Sequence, residues 1–239
     1  MLLNLDLSKI LFLDIETVPQ HSGYSEMDET SAMLWGLKAE RLTKDDETAE
    51  DIYQRAGIYA EFGKIVCISV GFFNLPQGGE KEFRMRSFYG DDEKKLLRDF
   101  CQMLEKHFGT PKHLLCGHNG KEFDFPYIAR RLIINGLPIP KTLDTAGKKP
   151  WEVQHLDTLE LWKFGDWKSY TSLKLLCHVL KVPTPKTDIE GKDVARVYYE
   201  EKDLDRIEKY CKRDTLAVAQ LLLRYRGEEI LTEDQVIGL

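Results

Sequence analysis

The stretch that decides the fold is ILFLDIET, residues 10–17, in which four apolar residues run into two carboxylates spaced two apart, Asp14 and Glu16. As a β-strand it sets Phe12, Asp14 and Glu16 on one face and Leu11, Leu13 and Ile15 on the other. An apolar run of this length is what a strand buried on both sides looks like. Carboxylates at the end of such a strand sit in poor solvent, and an ionised one there is costly unless a cation compensates it. Two strand rises put the Cα atoms of Asp14 and Glu16 roughly 6.5–7 Å apart, so both reach one divalent cation. For an isolated DxE, a strand that merely ends in solvent is the better account, and the rest of the chain has to overturn it.

The chain has 239 residues, 42% hydrophobic and 31% charged, which suits one sizeable domain, or one domain with an elaboration. No run approaches the ~18 consecutive apolar residues of a membrane span. The beginning, MLLNLDLSKI, has no basic region leading to a small-residue cleavage site, so a cytoplasmic location is expected. Five cysteines, with no CxxC among them, read as buried free thiols. A net charge of −6 argues against binding nucleic acid through a broad basic surface, but leaves room for an acidic site neutralised by metal ions.

Outward from the first strand, residues 18–61 are rich in Ser, Glu, Asp and Lys and read as an insertion over one edge of the core, weakly helical at 30–38 and 46–60. KIVCISVGFF (64–73) and EFRMRSFY (82–89) read as an antiparallel hairpin. Residues 91–108 carry apolar positions at helical spacing behind two N-terminal aspartates. A short buried strand follows at 113–116, then a helix from about 123 to 135 closed by Gly136. A strand at 153–158, a helix at 171–180 stopped by Pro183 and Pro185, a long helix at 202–226 and a tail from 228 complete the chain. No repeat or linker splits it, and the expected organisation is a single domain over 1–239. The order implies a mixed sheet flanked by helices.

Two further acids are out of place. In the last helix Ile207, Tyr210, Cys211, Asp214, Val218 and Leu221 share one face, so Asp214 is an acid inside an apolar stripe and needs a partner. Asp124, in GHNGKEFDFP (117–126), follows a buried strand and opens a helix. Alone, the first reads as half of an ion pair and the second as a carboxylate satisfying free N–H groups at a helix start. Four carboxylates from three distant segments are together what a two-cation oxygen-ligand site requires.

In this order the motifs resemble those of the DEDD 3′–5′ exonucleases. Asp14-Ile15-Glu16-Thr17 matches the first motif, DxE(T). Asn119 through Asp124 matches the second, N-x₂₋₃-F/Y-D, and Tyr210-Cys211-Lys212-Arg213-Asp214 matches the third, Y-x₃-D. Lys209 occupies the place where the histidine branch carries its His, so the tyrosine (DEDDy) type is the match. The chain most resembles a stand-alone exonuclease similar to the proofreading domain of family-B DNA polymerases. The stretches EFGKIVCISVGF, DTLELWKFGDW, TSLKLLCHVLKV and PKTDIEGKDV are similar to that group as well.

The resemblance implies an RNase H-like α/β fold, a mixed five-stranded sheet of three antiparallel strands and then parallel ones, with helices around it. It implies two divalent cations, Mg²⁺ or Mn²⁺, held by Asp14, Glu16, Asp124 and Asp214, with Asp14 bridging both, Glu16 and Asp214 on the first, and Asp124 on the second. Tyr210 orients the attacking water, and Thr17, Asn119 and Phe123 meet the terminal nucleotide. The substrate is the 3′ end of single-stranded DNA, or RNA, and the product a nucleoside 5′-monophosphate. Phe125, Tyr127, Trp162 and Trp167 are candidates for base stacking and Lys121, Arg130, Lys163, Lys168 and Lys186 for phosphate contact, although core and surface roles serve each of them as well. His118, His155 and His178 have no metal-ligand spacing. Competing readings are an RNA-trimming exoribonuclease and a non-catalytic nucleic-acid-binding module; a carboxylate-pair glycosidase leaves Asp124 and the Tyr210–Asp214 helix without a purpose.

Overall fold

Strand β1 (Ile10–Pro19) is the axis of the sheet, because its apolar residues serve both faces. The computed structural model describes residues 2–44, 46–76, 79–166, 170–183 and 188–239. β1 pairs antiparallel with β2 (Gly63–Asn74), and β2 pairs antiparallel with β3 (Glu82–Tyr89). On its other side β1 pairs parallel with β4 (Leu114–Gly117), which pairs parallel with β5 (Leu156–Asp157). The sheet has six strands in the order β5-β4-β1-β2-β3-β6, where five are expected from the sequence. The sixth, β6 (Val236–Ile237), lies parallel to β3 inside what reads as a tail. Two residues are too short for any alternation to show, and only the β3 edge makes them a strand.

The two faces of β1 are covered by different helices. Leu11, Leu13 and Ile15 pack with Leu97, Phe100 and Leu104 of α2 (Glu93–Phe108) and Ile128 and Leu132 of α3 (Asp124–Ile134). Phe12 packs with Phe73 and Phe83 and with Val218 and Leu222 of the last long helix, Leu204–Tyr225. That helix is α7, after α1 (Glu29–Ala39), α4 (Thr158–Lys163), α5 (Leu173–Val179) and the single turn α6 (Val194–Arg196) in chain order. Asp92 caps α2 and Asp203 caps α7, each accepting from a backbone N–H three residues on. The stretch expected as strand 153–158 is shorter, because Asp157 accepts from Leu159 N–H at 2.9 Å and starts α4 instead.

Residues 18–61 carry their own small core of Trp35, Ala39, Ile52, Tyr53 and Ala56. The segment 46–60 is turns and a 3₁₀ helix (Tyr53–Ile58) rather than the expected weak α-helix. It is anchored from below: Tyr127 Oη donates to Gly57 O at 2.8 Å, and Arg131 Nη1 to Ala60 O at 2.8 Å.

Candidate active site

The crevice lies where β1 outruns its parallel neighbour. β4 pairs with β1 only over Ile10–Phe12, so the β1 edge beyond is free for side chains. Asp124, the first residue of α3, uses that freedom: its Oδ1 accepts the Ile15 N–H at 3.0 Å, between the two β1 carboxylates. From the opposite face α7 is pinned by Cys211, whose Sγ donates to Asp14 O at 3.3 Å, and by Thr215, whose Oγ1 donates to Ser69 O at 3.3 Å. One turn of α7 carries Tyr210 and Asp214 into the crevice, and the Tyr210 hydroxyl donates to the Asp214 carboxylate. A β-bulge between Glu16 and Thr17 shifts the register with β2 and turns the end of the strand.

The electrostatics are those of anions crowded without a counter-ion. Burial pushes the Asp14 carboxyl well above its usual range, and Asp124 and Asp214 push it further. Burial and Asp14 do the same to Glu16, which is only 7% exposed and meets no hydrogen-bond donor or basic side chain among the described residues. Burial lifts Asp124 to about 7 and Asp214 to about 6. Tyr210 is raised by burial and by the carboxylates around it, so its hydroxyl stays protonated. Donor atoms of Asp14, Glu16 and Cys211 lie within 4.8 Å of one another, the one trio of acidic, histidine or cysteine donors among the described residues that is so compact. Asp124 and Asp214 stand outside that trio, close enough to act on Asp14 but splayed as like charges must be. Hard oxygen donors in excess of any local positive charge fit Mg²⁺ or Mn²⁺.

This crowding has a measurable consequence. A carboxyl whose folded value is raised favours the fold while it holds its proton. The metal-free fold therefore loses stability as the pH climbs from the ordinary carboxylate value, 3.8 for aspartate, through about 6 for Asp214 and about 7 for Asp124. A divalent cation held by these carboxylates would reverse that loss. The rise in melting temperature on adding Mn²⁺ is expected to be several degrees larger near about pH 8 than near about pH 5. Differential scanning fluorimetry at the two pH values checks it, and an equal rise at both contradicts it.

Asn119 stands at φ 63°, a left-handed turn that asparagine tolerates, between the closely packed Gly117 and Gly120. Its backbone N–H and that of Lys121 donate to the two oxygens of Asp157, at 2.9 and 3.0 Å. Asp157 is 2% exposed and shapes the turn that carries Asn119. Sequence reasoning passed over it, although an Asp before the helical run TLELWK is an N-cap signal. Phe123 is half-buried against Tyr127, their ring centroids 5.3 Å apart, and Thr17 is half-buried with its hydroxyl hydrogen-bonded to Tyr127.

Of the stacking candidates, Phe125 and Tyr127 are core residues and Trp162 stacks on Tyr225, which removes their faces from a strand of nucleic acid. Lys121 is paired with Glu160 at 2.8 Å, whereas Arg130 is exposed. Trp167, Lys168 and Lys186 lie outside the described residues. His118 and His155 are held by Thr158 and Thr171 and by Leu115 and Thr142, as structural histidines are.

A family model described as a predicted 3′–5′ exonuclease related to the exonuclease domain of PolB matches residues 58–235, about three-quarters of the chain. The chain belongs to that family. Asp124, Tyr210 and Asp214 fall within the matched residues, and Asp14 and Glu16 precede them. Among solved structures, the fold is similar to the family B DNA polymerase from the hyperthermophilic archaeon Pyrobaculum calidifontis, with a TM-score of 0.54 and 16% identity over 90% of this chain. The chain spans 24% of that polymerase's length. A search of curated proteins returned no significant match.

Proposed function

We propose that this exonuclease is a two-cation enzyme of the tyrosine DEDD type with an RNase H-like fold, removing nucleoside 5′-monophosphates from the 3′ end of single-stranded DNA. The observation that carries this reading is the uncompensated set at the end of β1. Asp14, Glu16, Asp124 and Asp214 raise one another's pKa or are raised by burial, and among the described residues no basic side chain pairs with them. Evolution keeps such a cost where a cation offsets it.

Asp14 is the common member, acted on by both Asp124 and Asp214, and with Glu16, Asp214 and Asp124 it would hold the two cations. When bound, the ions supply an acidified water and stabilise the leaving 3′-oxygen. The residues of the chain do the rest. The protonated Tyr210 hydroxyl, anchored on Asp214, holds the water by hydrogen bond and orients it rather than taking its proton. Asn119, on the turn that Asp157 holds, lines the approach to the terminal nucleotide together with Phe123 and Thr17. Asp124 keeps its place because the Ile15 N–H holds its Oδ1.

Replacing Tyr210 by Phe removes one hydrogen bond to a charged group, so kcat is expected to fall about 10- to 100-fold with the carboxylate set intact. A steady-state rate with saturating oligonucleotide reads it, and a loss as large as that of an Asp14 variant would mean that the hydroxyl does more than orient. The function itself is tested with single-stranded DNA and RNA labelled at the 5′ end, incubated with Mg²⁺, Mn²⁺ or EDTA. A ladder shortening stepwise on DNA with either ion, and blocked by EDTA, is expected. Internal cuts, a mononucleotide released at once from the labelled 5′ end, or activity in EDTA overturns the proposal, and a ladder on RNA alone replaces the substrate.

A further inference from the structure

The nearest third donor facing Asp14 and Glu16 is not a carboxylate but the thiol of Cys211. Cys211 is fully buried on the α7 turn that also carries Tyr210 and Asp214. Its Sγ lies 3.3 Å from Asp14 O, and the thiol is hydrogen-bonded to the Asp14 carboxylate as well. It shares with Asp14 and Glu16 the compact trio whose donor atoms all fall within 4.8 Å. Independently, Glu16 is 7% exposed and has neither a hydrogen-bond donor nor a positive charge for its carboxylate among the described residues, which leaves a cation as the partner it can take.

Sulfur is a poor ligand for Mg²⁺ and a spectator while hard ions fill the site. It is a strong ligand for Zn²⁺ and its heavier relatives. Metal–sulfur and metal–oxygen lengths of about 2.3 and 2.0–2.2 Å set tetrahedral donors roughly 3.3–3.7 Å apart. The trio therefore needs to contract by at most about 1.5 Å, within reach of side-chain rotation, and its fourth position stays open to water. We propose that Asp14, Glu16 and Cys211 form a binding site for a thiophilic divalent ion, Zn²⁺ or Cd²⁺, which overlaps the position of the hard ions and holds the centre in an inactive state. Binding breaks the Cys211 S–H bond, forms a metal–sulfur bond and releases the proton to solvent; no electron changes hands. The effect on turnover rests on the function proposed above, whereas the binding itself does not.

The test titrates Cd²⁺ into the full chain and follows the ultraviolet sulfur-to-cadmium charge-transfer band, with Mn²⁺ binding measured in parallel by electron paramagnetic resonance. Cys211→Ser is expected to lose the tightest component of the band and at least about tenfold in Cd²⁺ affinity. Cys101→Ser, on α2 and away from the crevice, is expected to keep both. Should Cys211→Ser fail to fold, Glu16→Gln, with all five thiols intact, is expected to weaken Cd²⁺ by a similar factor. Unchanged Cd²⁺ affinity and band in Cys211→Ser or in Glu16→Gln overturns the sulfur site alone if Mn²⁺ still binds the unmodified protein. Absence of both Mn²⁺ and Cd²⁺ binding there overturns the cation reading together with it.

Discussion

Asp14→Asn is expected to lower the rate of single-strand degradation at least about 1,000-fold while raising the melting temperature of the metal-free protein. The two effects have one cause. Asp14 is the carboxylate on which burial, Asp124 and Asp214 all act, so ionising it is costly. Asparagine keeps the shape and removes the charge, so the empty fold relaxes. On the two-cation proposal the same change would remove a ligand that both cations need, and several kcal/mol of transition-state stabilisation would go with it. The rise in melting temperature on adding Mn²⁺ should shrink to a small fraction of that of the unmodified protein. A variant that unfolds more easily without metal, or that keeps its rate, contradicts this.

Arg131→Ala is expected to destabilise the protein by about 3–5 kcal/mol, lowering its melting temperature by roughly 10 °C. Arg131 is 4% exposed on α3, and its Nε and Nη2 meet both oxygens of Glu93 at the start of α2. Nη1 donates to Ala60 O at 2.8 Å and Nη2 to Gln20 Oε1 at 3.3 Å, tying residues 18–61 to the core. Glu93 also accepts from Ile65 N–H at 2.7 Å and from Asn135 Nδ2 at 2.9 Å. Truncating the arginine leaves that carboxylate buried and unpaired, which is where the cost arises. Glu93→Gln combined with Arg131→Met should recover a large part of the loss, because neither buried charge remains. Thermal unfolding of the single and double variants reads both numbers, and a double variant no better than the single contradicts the pairing.

The parts of the molecule written in long periodic patterns were legible in the chain. The two faces of β1 separate as the alternation of 10–17 implies, Phe12 toward α7 and Leu11, Leu13 and Ile15 toward α2 and α3. The acid inside the apolar stripe of α7 arrives at the crevice because Cys211 and Val218, one turn to either side of it, are packed against the sheet. Features made by tertiary contact were not legible. β6 exists only where β3 offers an edge, and Asp157 ends a strand by capping a helix and holding the Asn119 turn. Cys211 reads as an ordinary buried thiol, since nothing in spacing reveals that it faces the DxE carboxylates from α7. The Glu93–Arg131 pair joins α2 and α3 over 38 residues and leaves no local trace.

The central claim is that acids from β1, α3 and α7 converge on a pair of hard cations. Anomalous diffraction from crystals soaked in Mn²⁺ and a nucleoside 5′-monophosphate tests it most directly. Two Mn²⁺ peaks about 3.5–4 Å apart are expected in the β1–α7 crevice, both touching Asp14, with Glu16, Asp214 and Asp124 completing them. Crystals that take up Mn²⁺ only elsewhere, leaving the Asp14 carboxylate without an ion, contradict it.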